Sequence, residues 1–142
     1  MTAAKVTILV VDDSRADIRL LREAVREQAI EAELQAVEDG EQALARLRGD
    51  EERPDLILLD LNLPRCDGRE VLKEIKTDPD LKAIPVIVLS TSASPRDIAD
   101  CYGLQANAYL VKPLGLEEFG ALVRAFDAFW LRLARLPSRE TA

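Results

Sequence analysis

Apolar residues follow two rhythms along the chain. Short, nearly unbroken apolar runs alternate with longer stretches in which an apolar side chain returns every third or fourth position. The runs are Val6-Thr7-Ile8-Leu9-Val10-Val11, Leu56-Ile57-Leu58-Leu59, Ile84-Pro85-Val86-Ile87-Val88-Leu89 and Ala108-Tyr109-Leu110-Val111. Runs this short and this apolar predict strands covered on both faces, as in parallel sheets. Residues 32–37 alternate only weakly and predict a short edge strand. Between the runs, Ile18, Leu21, Val25 and Ala29 share one helical face, and Arg15, Arg19, Arg22 and Arg26 fall on the others. Ser14 or Asp13 is placed to cap that helix. A second helix follows Asp39-Gly40, carries Ala43, Leu44 and Leu47, and closes near Gly49. A third runs from an Asp67 cap to Asp78-Pro79 with Val71, Leu72 and Ile75 inward. Pro95 opens a fourth, reaching about Tyr102-Gly103, and a long fifth starts near Gly115.

Strict strand–helix alternation predicts an α/β fold, (βα)5, with a doubly wound parallel sheet and an extended C-terminal helix. The 142 residues fit one domain. Its core covers about 5–128, and the helix extension and tail about 129–142, loose from Pro137 onward.

Charge and composition narrow the chemistry. The net charge is −7, which argues against a nucleic-acid surface or an anionic membrane as partner. Positive excess is confined to the end, where Arg132, Arg135 and Arg139 face only Glu140. There is no histidine, which removes Ser-His-Asp triads and His-ligated zinc. Cys66 and Cys101 have no metal or redox spacing and read as free thiols of a reducing compartment. No signal peptide is visible, and no apolar run approaches the roughly 20 residues a membrane helix needs. A cytoplasmic protein is expected.

The strand ends carry the remaining information. Strand one ends in Asp12-Asp13, strand three in Asp60, strand four in Ser90 and strand five in Lys112. Ligands of open α/β sheets bind at that edge. Three carboxylates this close call for a cation, and an oxygen-only donor set suits Mg2+ ahead of Ca2+ or zinc. A carboxylate nucleophile beside Mg2+, an ammonium and a hydroxyl has the parts for phosphoryl transfer to Asp60. Taken singly, each residue has a plainer reading. Asp12-Asp13 would be a cap or turn, Ser90 competes with Thr91 and Ser92, and Asp39-Gly40 reads as a turn.

Val-Val-Asp-Asp-Ser, Leu-Ile-Leu-Leu-Asp-Leu-Asn-Leu-Pro-x-x-Asp-Gly, Pro-Val-Ile-Val-Leu-Ser and Tyr-Leu-Val-Lys-Pro occur in this order. Together they resemble the CheY-like receiver domain of two-component response regulators over roughly residues 5–128. The resemblance implies a flavodoxin-like sheet of order 2-1-3-4-5. It implies Asp60 as phospho-acceptor and Mg2+ held by Asp13, Asp60 and the backbone carbonyl of Asn62, with Asp12 acting through water. It implies Ser90 and Lys112 on the phosphoryl group and Tyr109 as the aromatic switch. Asp-Ile-Arg-Leu-Leu-Arg-Glu-Ala, Leu-Ser-Thr-Ser and the late Phe-Trp-Leu further resemble single-domain regulators paired with phytochrome histidine kinases. Thr91 departs from the small residue commoner beside the switch hydroxyl.

The expected function is therefore a phosphoacceptor signalling protein. It takes a phosphoryl group from a sensor histidine kinase, a bacteriophytochrome, and catalyses only its own Mg-dependent phosphorylation and autodephosphorylation. The alternative is an intermediate carrier or phosphate sink in a phosphorelay. An aspartate-nucleophile phosphatase would want an acid two residues after the nucleophile, where Asn62 stands. A flavin site would not tolerate Asp12-Asp13 at its phosphate loop.

The last helix adds a partner surface. Leu116, Phe119, Val123, Phe126, Trp130 and Leu133 form one apolar seam, and Leu122, Phe129 and Leu136 a second. One seam packs on the sheet. The second predicts a homodimer through the face of helix four, strand five and helix five, with Leu122, Phe129, Trp130 and Leu133 at the interface.

Overall fold

The computed structural model describes residues 5–137, so Arg139, Glu140 and the tail beyond Pro137 lie outside the described residues. Five strands, β1 (Val6–Val11), β2 (Ala32–Val37), β3 (Leu56–Leu59), β4 (Val86–Ser90) and β5 (Ala108–Val111), alternate with five helices. These are α1 (Arg15–Glu27), α2 (Gly40–Arg48), α3 (Gly68–Thr77), α4 (Pro95–Gly103) and α5 (Leu116–Phe126). All strand pairs are parallel, in the order β2-β1-β3-β4-β5.

Every residue of β3 and β4 is buried, yet the strands still sort side chains by parity. Leu9, Val11, Ile57, Leu59, Val86 and Val88 join Val71, Leu72 and Ile75 of α3 in one core layer. Ile8, Val10, Leu56, Leu58 and Ile87 join Leu21 and Ala24 of α1 and Phe119, Val123 and Phe126 of α5 in the other. A residue just past a strand end inherits this parity. Asp12 continues the Ile8–Val10 series, Asp60 the Leu56–Leu58 series and Lys112 the Ala108–Leu110 series. All three therefore lean to the α1/α5 side. Ser90 continues the Val86–Val88 series, so it starts on the α3/α4 side, where Tyr109 also packs.

The helix caps follow the sequence closely. Ser14 accepts from the Asp17 N–H, Asp67 from Arg69 and Ser94 from Asp97, with Pro95 in the first turn of α4. Asp39 does more than turn the chain. It caps α2 by accepting from the Gln42 N–H at 2.8 Å, and it is buried against Arg65 at 2.7 Å. The two bonds hold its carboxyl below the usual range, the Gln42 N–H first.

Three expectations are corrected. Ala29 does not lie on the α1 face; α1 ends at Glu27, and Ala29 takes a left-handed φ of 51° just beyond it. Ala24 is buried there instead. The strand-four run begins later than the sequence suggests, at Val86. The third concerns the C-terminal helix. Past Phe126 it unwinds into a π-helical segment, Asp127–Leu133. A wider turn shifts the phase of side chains. Leu133, placed by the 3–4 spacing on the inner seam, is 74% exposed, whereas Leu131 and Leu136 pack against the α1/α5 core. Leu122 and Trp130 also pack there, so of the four expected interface residues only Phe129 and Leu133 present most of their surface outward. Phe129 and Trp130 meet edge to face, with ring centroids 5.2 Å apart.

Candidate phosphoryl-transfer site

Backbone pairing carries the sheet one residue past each strand and so fixes the site. The Asp12 N–H donates to Val37 O at 3.1 Å, Asp60 N–H to Val11 O at 2.9 Å and Lys112 N–H to Ser90 O at 2.7 Å. The side chains of Asp12, Asp60 and Lys112 are all buried. Asp13 points to solvent. One carboxylate oxygen from each of Asp12, Asp13 and Asp60 lies within 4.8 Å of the others.

Lys112 is the hub. Its Nζ donates to Asp17 Oδ2 at 2.8 Å, lies 2.9 Å from Asp12 Oδ2 and donates to Asp60 Oδ2 at 3.2 Å. Burial pulls the ammonium down, but the bonds to Asp17 and Asp12 and the charges of Asp12 and Asp60 outweigh it. Its pKa lies above the ordinary lysine value, so it stays charged throughout the neutral range. Asp12 is raised as well, which for a carboxyl disfavours the charged form: burial raises it, against the Lys112 and Ser14 N–H bonds that lower it. The remaining oxygens are also engaged. Asp12 Oδ1 accepts from the Ser14 N–H at 2.9 Å and Asp60 Oδ1 from the Asn62 N–H at 3.4 Å. One ammonium contacts three carboxylates and Asp13 adds a fourth beside Asp12 and Asp60, and the excess negative charge, all on hard oxygen donors, fits a divalent cation.

Ser90 and Tyr109 are held apart from this cluster. The Ser90 hydroxyl oxygen accepts from the Ser92 N–H at 3.2 Å, and the Tyr109 hydroxyl donates to the Ser92 carbonyl at 2.8 Å. Ser92 Oγ in turn donates to Asp97 Oδ2 at 2.6 Å, and Asp97 pairs with Arg69 of α3. The Ser92 hydroxyl, and then Arg69, hold Asp97 below the usual carboxylate range. Thr91 is exposed. The β4–α4 loop is thus tied to α3, with both expected switch residues resting on Ser92.

Sequence reasoning missed Asp17, Asp97 and Arg69, and met Ser92 only as a competitor of Ser90. A signal for Asp17 existed. It stands four residues before Leu21 and seven before Ala24, the two buried residues of α1, so it prolongs the core stripe toward the site. The tie between Arg69 and Asp97 joins two helices with no shared sequence pattern.

This arrangement can be compared with known proteins. The chain matches the response regulator receiver domain over residues 8–124. It belongs to that family. Response regulator Rcp1 of Synechocystis sp. is 47% identical over 136 residues, covering 92% of each chain. The Mn(2+)-bound crystal structure of Rcp1 superposes with a TM-score of 0.83, covering 93% of this chain and 99% of that one. The phosphorylated cyanobacterial phytochrome response regulator RcpA is 49% identical with a TM-score of 0.88, covering 96% and 100%. RPA3017, a response regulator in red light signalling of R. palustris, is 38% identical with a TM-score of 0.87, covering 94% and 99%. This receiver domain is thus a two-component signalling module homologous to phytochrome response regulators. Its flavodoxin-like strand order matches the expectation from sequence. No helix among its described residues is long and apolar enough to cross a membrane.

Proposed function

We propose that this receiver domain accepts a phosphoryl group on Asp60 from the phosphohistidine of a cytoplasmic sensor histidine kinase and signals by a change in its protein-contact surface. The observation that carries this reading is Asp60 Oδ2 standing 3.2 Å from the Lys112 ammonium in a buried acidic crevice. Asp12, Asp13, Asp60 and the backbone carbonyl of Asn62 would hold Mg2+, which when bound offsets charge on the phosphoryl oxygens. An Asp60 oxygen attacks phosphorus as the P–N bond breaks, and the electron pair leaves on the imidazole nitrogen. Lys112, already oriented by Asp60, pairs with a phosphoryl oxygen in the transition state. Ser90 then leaves the Ser92 N–H for the phosphoryl group. Tyr109 follows, since its hydroxyl rests on the same residue. Autodephosphorylation reverses the state by water attack at the same centre. The likeness to RcpA and RPA3017 supports a bacteriophytochrome as the kinase.

Incubation with acetyl phosphate and Mg2+ is expected to give a single adduct of one phosphoryl group on Asp60, located by mass spectrometry. Asp60→Asn should carry none. An unmodified wild type, or an undiminished adduct in Asp60→Asn, would overturn the assignment.

The signalling surface is proposed to be a homodimer contact on the α4–β5–α5 face. Tyr102 is 48% exposed, Val111 47% and Leu114 97%, large hydrophobic side chains left open on α4, at the end of β5 and just beyond it. Phe129 at 53% exposure extends the apolar surface. Wild type should run as a dimer at micromolar concentration by light scattering and Phe129→Glu as a monomer. A monomeric wild type rejects the dimer.

A further inference from the structure

Asp17 has no part in the reaction as proposed above, yet it makes the shortest contact of the site lysine. Its Oδ2 lies 2.8 Å from Lys112 Nζ, against 2.9 Å for Asp12 and 3.2 Å for Asp60. The Lys112 side chain is only 5% exposed, while that of Asp17 is 30% exposed and reaches it from α1. Asp12 and Asp60 belong to the group that, with Asp13, brings one oxygen each within 4.8 Å of the others; Asp17 is outside that group. The lysine is therefore bound on one side by acids that can hold a cation and on the other by an acid that does not join them.

We propose that Asp17 is a positioning residue for Lys112: it retains the ammonium on the α1 side of the crevice when Asp12 and Asp60 turn to a divalent cation. The inference rests on the reading of Asp12, Asp13 and Asp60 as the cation site. A buried ammonium that lost Asp12 and Asp60 with no other carboxylate beside it would oppose cation binding. With Asp17 present, Lys112 keeps a charged partner and stays near Asp60 for the phosphoryl oxygens. Asp17 is fixed for this task by its place in the chain. Its backbone N–H bonds the Ser14 cap at 3.2 Å, and Leu21 and Ala24 anchor the same face of α1 in the core.

The test is a Mn2+ titration of the full chain by calorimetry, comparing wild type, Asp17→Ala, Lys112→Met and the double variant. Asp17→Ala is expected to weaken Mn2+ binding by about five- to tenfold, and by less than about twofold when Lys112 is already methionine. The loss in the Lys112 background should persist in 0.5 M salt, because contact with a buried partner is screened far less than a remote surface charge. If Lys112→Met does not fold, this salt comparison on Asp17→Ala alone decides. An unchanged affinity, an equal loss in both backgrounds, or a loss that salt abolishes would overturn the proposal, leaving Asp17 as a distant charge. Absence of saturable Mn2+ binding in wild type overturns it together with the cation site. Absence of an Asp60 adduct with intact Mn2+ binding defeats only the phospho-acceptor assignment.

Discussion

Replacing Lys112 by methionine is expected to slow phosphorylation of Asp60 by about two to three orders of magnitude while tightening divalent-cation binding by about tenfold. The two effects have opposite signs because one ammonium serves two states. In the resting protein it contacts the oxygens of Asp12 and Asp60 and so competes with any cation for them. In the proposed transition state the same ammonium would face phosphoryl oxygens, where charge is spreading. Methionine keeps the volume and apolar stem and removes only the charge. The carboxylates left behind repel one another without Lys112, so the variant should also gain more thermal stability than wild type from added Mn2+. Rates with acetyl phosphate, calorimetric Mn2+ affinities and melting curves check all three parts. A variant that phosphorylates normally, or binds Mn2+ more weakly, would contradict the role of Lys112 as hub.

Gly68→Ala should lower stability by about 2–3 kcal/mol, roughly a 10 °C fall in melting temperature, and should also impair phosphorylation. A Cβ at position 68 would stand 2.3 Å from the Asp60 carbonyl oxygen and 2.6 Å from Leu61 Cα. Neither neighbour is a flexible side-chain tip. Both are backbone at the end of β3, and the Gly68 N–H itself bonds Leu61 O at 2.9 Å. The only relief is to move α3 away from the strand or to move Asp60. Gly40 is held in the same manner, since a Cβ there would lie 2.5 Å from Cys66 Cβ on the other limb of that loop. A chemical melt of Gly68→Ala within about 0.5 kcal/mol of wild type would show that the loop yields more easily than its contacts indicate.

The two substitutions test different layers of one design. Gly68 permits α3 to begin hard against β3, and that places Asp60. Lys112 then organises the charges around Asp60. The Asp39–Arg65 pair adds a further hold on the loop between them, with Arg65 in a left-handed conformation at φ 66°.

Much of this was legible in the linear chain. Unbroken apolar runs that end in Asp12-Asp13, Asp60, Ser90 and Lys112 specify buried parallel strands with polar ends, because a strand covered on both faces can carry polar groups only where it emerges. The caps at Ser14, Asp67 and Ser94 and the glycine at the start of α5 are local effects of backbone donors, and local sequence determines them. The acid–lysine constellation followed from these elements, while the family, and with it the strand order, was implied by the resemblance of the four motifs. What the tertiary structure decided is which groups meet and which do not. Strand parity sends Asp12, Asp60 and Lys112 toward α1, where Asp17 waits, while Ser90 and Tyr109 are gathered on Ser92 and, through Asp97, tied to Arg69. Residues 95 positions apart, such as Asp17 and Lys112, have no common periodicity to reveal their contact. The C-terminal helix makes the same point from the other side. Its sequence supports a straight seam ending in Leu133, but packing of Leu131 and Leu136 on the α1/α5 layer goes with a π-helical turn that carries Leu133 outward. Spacing sets the faces of an ideal helix; the core decides where the helix departs from it.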